Sequence, residues 1–370
     1  MAAWRELKLR DLVVLNYGKP LVAQNRTGGS IPVYSSAGVT GHHNAPLVEG
    51  PGVIVPRKGT IGQVYYSSRP FWPIDTVFYI LPNEDKYDLS YVYYLFQTLG
   101  LDNLNDGSVV PSLNREVLYQ RGFRLPPLAE QKAIAGVLKS LDDKLDFINR
   151  QNADLEATAE AIYSYLFLDS LGQPNLTPVN WGLKPIKEVA HTYLGGTPSR
   201  DKPEYWGGPV PWINSRKVND IRIVRPSDWL TDLGLKRSAA KLLPEKTIVL
   251  ALTGSTIGQI SVLEIETSAN QSVLGIVPRK IPYEYLYCAL KFNIEYLVSR
   301  QTGGAQQHLT KSQVDNFKIL APDEPSLAEF QRLVAEIFQK ISRNRFQAQD
   351  IQDIRSTVLP RLISGDLQIS

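Results

Sequence analysis

The sequence predicts an α+β fold built from two mixed α/β modules, each followed by a long coiled-coil helix. Three observations lead there. Blocks from the first half of the chain return in the second half in the same order. The first part of each copy is rich in Gly, Pro and short β-type runs. The second part of each copy carries a sustained heptad pattern.

The repetition decides the number of folding units. Trp4, Leu9, Leu12 and Gly18 recur at one constant spacing as Trp181, Ile186, Val189 and Gly195. Residues 31–36 (IPVYSS) match 210–215 (VPWINS), and 59–64 (GTIGQV) match 255–260 (STIGQI). Residues 112–114 (SLN) match 308–310 (HLT), and 127–130 (PLAE) match 326–329 (SLAE). Five blocks in one order indicate a duplicated unit whose loops have drifted in length.

Within the modules, the runs 53–55, 63–66 and 77–81 read as strands of copy one. The runs 247–252 and 273–277 read as strands of copy two, because each is β-branched or aromatic and bounded by turn residues. Short helices are expected at 89–99 and 283–292. In copy one, Ile134, Leu138, Leu141, Leu145, Ile148, Asn152, Leu155, Ala159, Ile162 and Leu166 then alternate by fours and threes. In copy two, Leu327, Phe330, Val334, Ile337, Ile341, Asn344, Ala348, Ile351, Arg355, Val358 and Leu362 do the same. A stripe this narrow suits a helix–helix seam; the plainer alternative is a helix that only covers its own module. Asn152 and Asn344 would be polar seam positions, which can fix pairing register.

The chain has 370 residues, enough for two domains plus connecting structure. With 43% hydrophobic and 21% charged residues its composition is globular. No apolar run reaches the length of a membrane span, and residues 1–8 lack the apolar segment of a secretory signal. Cys288 is the single cysteine, which excludes an internal disulfide and fits a reducing cytoplasm. A formal net charge of +3 permits nucleic-acid binding if the positive charge gathers on one face.

At residues 195–199 (GGTPS), 204–208 (EYWGG), 210–213 (VPWI) and 254–258 (GSTIG) the sequence resembles target-recognition domains of type I restriction-modification specificity subunits. The segment 125–134 (LPPLAEQKAI) is similar to that family's entry into its spacer helix, and 359–367 (LPRLISGDL) to its closing signature. Copy one departs from the pattern: Gly18-Lys19-Pro20 is abbreviated, and Tyr34-Ser35-Ser36 stands in place of a tryptophan-containing run. The resemblance implies two target-recognition domains related by pseudo-two-fold symmetry and separated by two antiparallel helices. On that reading the chain divides into recognition domain 1 (1–128), a central spacer helix (129–170), recognition domain 2 (171–325), and a second spacer helix with tail (326–370).

The resemblance further implies a cytoplasmic, non-catalytic reader of double-stranded DNA with a bipartite, asymmetric target. Two methyltransferase subunits would dock on the helices, along the seam of Ile134, Leu138, Leu141, Leu145, Asn152, Val334, Ile337, Ile341, Asn344 and Ile351. A restriction-translocase subunit would join through them. No cofactor is expected in this chain; S-adenosylmethionine, ATP and Mg are expected in the partner subunits. A helix over 130–166 would span roughly 50 Å, against about 34–36 Å for one DNA turn, so it could act as a ruler.

Reading bases in the major groove needs Arg or Lys for guanine and Asn or Gln for adenine. Phosphate contacts need small residues, backbone N–H groups and cations. The matched loops offer both. In copy one the candidates are Tyr34, Ser35, Ser36, Lys58, Thr60, Ser112, Asn114 and Arg115. In copy two they are Asn214, Ser215, Arg216, Lys217, Ser255, Thr256, Gln306, Gln307, His308, Thr310 and Lys311. The same residue types also serve as ordinary turn formers and solvated surface.

Catalytic signatures do not emerge from the sequence. No Asn-Pro dipeptide occurs, so an amino-methyltransferase motif is absent, and Gly18-Lys19 is followed by Pro20 and makes no phosphate loop. Asp75 with Glu84-Asp85-Lys86 has a loose nuclease layout, but Gln271 stands opposite Asp75 in copy two. His42, His43, His191 and His308 lack zinc spacing. Two other readings fit a duplicated α/β pattern: a free-standing enzyme such as a nuclease, and a scaffold that binds protein or glycan.

Overall fold

The computed structural model describes residues 4–104, 111–169, 181–299 and 308–369. The chain divides into two compact units, one of Met1–Asp146 with Ile351–Ser370, the other of Phe147–Asp350.

The first unit contains a four-stranded antiparallel sheet in the order Asn16–Tyr17, Val77–Ile80, Gly52–Pro56, Tyr65–Ser67. A three-stranded sheet joins Gly38–His43, Ile31–Ser35 and Trp72–Pro73, and a two-stranded ribbon pairs Arg5–Lys8 with Gly122–Leu125. The second unit repeats this plan. Its larger sheet runs Ala190–Leu194, Val273–Pro278, Ile248–Ala251, Ile260–Leu263, Arg222–Ile223. Asp228–Leu230, Trp206–Ile213 and Ser268–Ala269 form the smaller sheet, and Gly182–Pro185 pairs with Lys318–Ala321. The duplicated sequence is therefore a duplicated topology. Its main addition is Arg222–Ile223, laid parallel to Ile260–Leu263 at a sheet edge.

The central strands are continuous apolar runs because both of their faces are covered: Val53, Ile54 and Val55 are wholly buried, as are Ile248, Val249 and Leu250. Two matched glycines explain why the alignment holds where it does. A Cβ on Gly18 would stand 2.0 Å from the Ile74 carbonyl oxygen, and one on Gly195 would stand 2.1 Å from that of Asn270. Both mark a place where two backbones approach too closely for any side chain.

Helix Leu89–Thr98 starts where Asp88 accepts a hydrogen bond from Tyr91 N, a normal N-cap. Its relative, Tyr283–Ser299, runs past the expected end at 292. No Gly or Pro interrupts that stretch, and Leu297 returns to the core at 1% exposure. The two long helices are Leu128–Tyr163, which ends in a π turn at Ser164–Leu168, and Glu324–Ser364. Gly365, at φ 83°, stops the second one, and Leu367 N donates to the Arg361 carbonyl.

Each unit's core takes side chains from both long helices. In the first unit Ile134, Ala135, Leu138, Leu359, Leu362 and Ile363 pack with Tyr91, Leu95, Val55 and Phe78. In the second, Ala159, Tyr163, Phe167, Phe330, Val334 and Phe338 pack with Tyr285, Leu250 and Ile276. Burying one such Phe contributes up to about 3 kcal/mol, so the helices are structural parts of both modules. They also meet one another, which a helix that merely covers its own module would not do. In the second unit Asn344 Nδ2 donates to Asn152 Oδ1 at 2.8 Å, while Tyr163, later in the first helix, meets Phe330, earlier in the second. The pair is antiparallel. In the first unit the corresponding contact is the ion pair of Arg355 with Asp142. Ile134, Leu138, Asn152, Val334, Ile341 and Asn344 are buried; Leu141, Leu145, Ile337 and Ile351 are half-buried.

Candidate nucleic-acid interface

In the first unit, three loops far apart in sequence converge around the turn at 74–76. The loop at 57–60 is tied to the loop at 111–114 by a β-bridge between Lys58 and Ser112 and by Gly59 N to the Pro111 carbonyl at 2.9 Å. It is tied to the turn at 74–76 by Lys58 N to the Thr76 carbonyl at 3.3 Å. Thr76 Oγ1 in turn accepts from Ser36 N at 3.3 Å, which brings in the hairpin turn at 35–38. Lys58 and Thr60 are exposed.

The other candidates divide by what they already hold. Ser35 is 8% exposed and closes the hairpin turn: its Oγ donates to Gly38 O and accepts from Ala37 N. Tyr34 packs its ring against Phe71 and Tyr65. Asn114 is the N-cap of helix Arg115–Tyr119, accepting from Glu116 N at 2.8 Å. Arg115 lies 5.0 Å from the Tyr17 ring. Sequence reasoning passed over Arg57, which lies 5.0 Å from the same ring and donates to the Asp75 carbonyl at 2.8 Å. Two guanidinium groups thus flank one exposed tyrosine. Adjacency to Lys58 was the only sequence signal for Arg57, and nothing pointed to Tyr17.

The second unit makes the equivalent cluster. A β-bridge joins Thr253 to His308, and Leu309 N donates to Leu252 O at 2.9 Å. This is the counterpart of the Lys58–Ser112 bridge and of Leu113 N to the Arg57 carbonyl. The turn Ser215–Asn219 packs against the turn Gly254–Thr256. Asn214 caps the first of these, accepting from Lys217 N at 3.2 Å. Thr310 caps helix Lys311–Asn316 in a reciprocal box with Gln313. Lys217 pairs with Asp220 at 2.8 Å and Lys311 with Asp315 at 2.5 Å. Arg216 and Ser255 are exposed, while Ser215 and Thr256 are half-buried. Gln306 and Gln307 lie outside the described residues. Arg200 was also missed: its guanidinium sits 3.3 Å from the centre of the Trp206 ring and pairs with Asp228 at 2.7 Å.

The loops display hydrogen-bond donors and cations. Exposed Lys58 and Arg216 stand beside small hydroxyl residues and turns rich in backbone N–H groups, the donor set that phosphates and base edges require. Among the described residues no group of three His, Cys, Asp or Glu side chains is placed to hold a metal ion. Asp75 and the Glu84-Asp85 pair flank opposite ends of strand Val77–Ile80. Cys288 is buried and its thiol is pushed up to about 12 by that burial, with further repulsion from Glu160. No described helix is long and apolar enough to cross a membrane.

Fold and site together define a duplicated α/β protein whose polar loop clusters, one per unit, are carried on shared long helices. The profile of the type I restriction modification DNA specificity domain matches residues 1–157 and again 178–355, so the chain belongs to that family. It is 24% identical over 336 residues to the type I restriction enzyme MjaIX specificity subunit of Methanocaldococcus jannaschii, covering 86% of this chain and 78% of that protein. With the HindI specificity subunit of Haemophilus influenzae it shares 29% identity over 195 residues, 51% of this chain and 42% of that one. The crystal structure of a type I restriction-modification S subunit from M. genitalium has the same fold: TM-score 0.64, 17% identity, 100% of this chain and 97% of that chain covered. Each matched segment contains one of the loop clusters, and the profile's double match restates the duplication read from the sequence.

Proposed function

We propose that this specificity subunit reads a bipartite, asymmetric DNA target, one half-site through each three-loop cluster, and carries out no chemistry itself. The observation behind this is the doubled cluster, in which corresponding bridges, Lys58–Ser112 and Thr253–His308, hold different polar side chains in corresponding places. One scaffold with two sets of surface groups is suited to two unrelated half-sites. Of the candidate residues, Lys58, Thr60, Ser255, Arg216 and His308 are the best placed, being exposed. Asn114, Asn214 and Thr310 position the backbone around them by capping.

In this reading two methyltransferase subunits dock on the paired helices and a restriction subunit joins through them. S-adenosylmethionine, ATP and Mg are then bound by those partners, in the cytoplasm. The target's spacer length follows from the helices, about 54 Å for the first at 1.5 Å per residue. The test is to express the chain with its methyltransferase partner and map modified adenines by sequencing. Arg216→Ala with Lys217→Ala should relax one half-site and leave the other intact. Loss of selectivity in both half-sites, or in neither, would overturn the assignment. One heptad added to each helix should lengthen only the spacer.

A further inference from the structure

The contacts between the two long helices are not symmetric, although the chain is duplicated. In the first unit, Asp142 of the first helix is paired with Arg355 of the second; Asp142 also accepts from Tyr94 OH at 2.9 Å, and Arg355 donates to Gln97 at 2.8 Å. In the second unit the visiting residue carries the opposite charge. There Glu156 of the first helix accepts from Arg222, Tyr287 and Lys291, all within 2.9 Å. Gln97 and Lys291 occupy corresponding turns of equivalent helices, in which Tyr91 matches Tyr285 and Tyr93 matches Tyr287. Asn152 and Asn344, both 1% exposed or less, meet each other, and Asn344 also meets Gln151.

We infer that these residues form a pairing code: each long helix is complementary to the helix of the other repeat and incompatible with a copy of itself. The two repeats can be aligned on Leu125 and Ala321 or on Leu128 and Leu327, and both alignments lead to the same mismatches. The residue of the first helix that corresponds to Asn344 is Ile148 or Leu145, and the residue of the second that corresponds to Asn152 is Ala348 or Ile351. A like-with-like pair of either repeat therefore faces a buried asparagine with an aliphatic side chain. In a pair of first repeats, Asp142 meets Ala159 or Glu156 instead of Arg355. In a pair of second repeats, Arg222 and Lys291 meet Gln352 or Arg355 instead of Glu156. Buried polar groups and charges left without partners are what make wrong pairings costly, and a buried asparagine is a known register device. The code keeps two different modules together in one chain and stops equivalent halves of two copies from exchanging. It holds whatever the modules read.

The test begins from the intact, folded chain with a protease site inserted after Asp169. After cleavage, the halves are re-equilibrated through urea and weighed by native mass spectrometry. Random assortment would give like pairs in about half of all pairs; the code predicts a share at least about 30-fold lower. Replacing both asparagines, Asn152→Leu with Asn344→Leu, removes the buried amides from the native pair, frees only the half-buried Gln151 Oε1 from its Asn344 donor, and should raise the like-pair share. Like pairs at the random share, or a double variant that sorts as strictly as the parent, would overturn the code. A second measurement needs no cleavage. In the uncut chain Arg355→Glu should lower the thermal midpoint by several degrees, and adding Asp142→Arg should restore most of it. An unchanged midpoint for Arg355→Glu would equally overturn the inference.

Discussion

Replacing Arg222 by methionine should be among the most damaging single changes in the second unit. Its side chain is wholly buried, between the Tyr287 ring at 4.6 Å and the Phe338 ring at 5.2 Å. Burial opposes its charge, but Tyr287, Glu156 and Glu264 more than offset this and hold the guanidinium's pKa above its ordinary value. Methionine keeps the shape of the slot and removes the charge. Two carboxylates, Glu156 at 9% and Glu264 at 2% side-chain exposure, would then be left in the interior. Removing one partner of a buried ion pair costs about 3–5 kcal/mol. Here the cost falls at the low end, about 3 kcal/mol, because Lys291 and Lys246 still hold the two carboxylates from half-exposed positions, where pairing is weaker. At about 2–4 °C per kcal/mol for a unit of this size, the thermal midpoint should drop by about 6–12 °C. Calorimetry of the full chain reads this directly. Neutralising the carboxylates as well, with Glu156→Gln and Glu264→Gln, should return most of the loss. A drop under about 2 °C, or a triple variant no better than Arg222→Met alone, would refute the charge reasoning.

Other outcomes follow from the same geometry. Gly18→Ala and Gly195→Ala each force a Cβ to within about 2 Å of a carbonyl oxygen, and each should cost more than about 2 kcal/mol in denaturant titration. Lys58→Ala should leave the thermal midpoint unchanged and lower the slope of log affinity against log salt by about 0.9 in DNA titrations; an unaltered slope would remove Lys58 from the interface. Asn114→Ala should lose about 1 kcal/mol of stability through its cap without changing either half-site in a methylation map. Cys288, raised to about 12 mainly by burial, should resist alkylation at pH 8 until the chain unfolds. Since its folded value lies above the ordinary thiol value of 9.0, the stability it contributes is whole below that point and is lost as pH rises toward 12.

The repeat, the strands and the helix seam were legible because each is a pattern that a core imposes on every residue it touches. Val53, Ile54 and Val55 must be apolar to be buried on both faces, and Ile134, Leu138 and Val334 must recur by threes and fours to stay in the core. Gly18 and Gly195 were legible for a harsher reason, since no other residue fits. The site was only partly legible. The matched blocks led to loops that the fold brings together, because the bridges Lys58–Ser112 and Thr253–His308 need the same backbone in both copies. They did not separate residues that build a loop from residues it displays.

Asn114, Asn214 and Thr310 are candidates by side-chain type, since asparagine and threonine can bond a base, yet each spends its acceptor on the first turn of a helix. The sequence held the means to see this, since Thr310 is followed three residues later by Gln313, the spacing of a reciprocal cap. Beyond its adjacency to Lys58, Arg57 carried no signal, because its contact is with Tyr17, far off in sequence and brought near by the sheet. The same limit governs the helix seam. Heptad spacing predicted that Asn152, Asn344 and Arg355 would face a partner, but spacing is silent on which partner. Only the contacts disclose that Arg355 meets an acid where Glu156, visiting the other module, meets an arginine and a lysine. Duplication supplied two equal halves, and the later divergence of a few buried polar groups made them unequal in a way that binds each to the other.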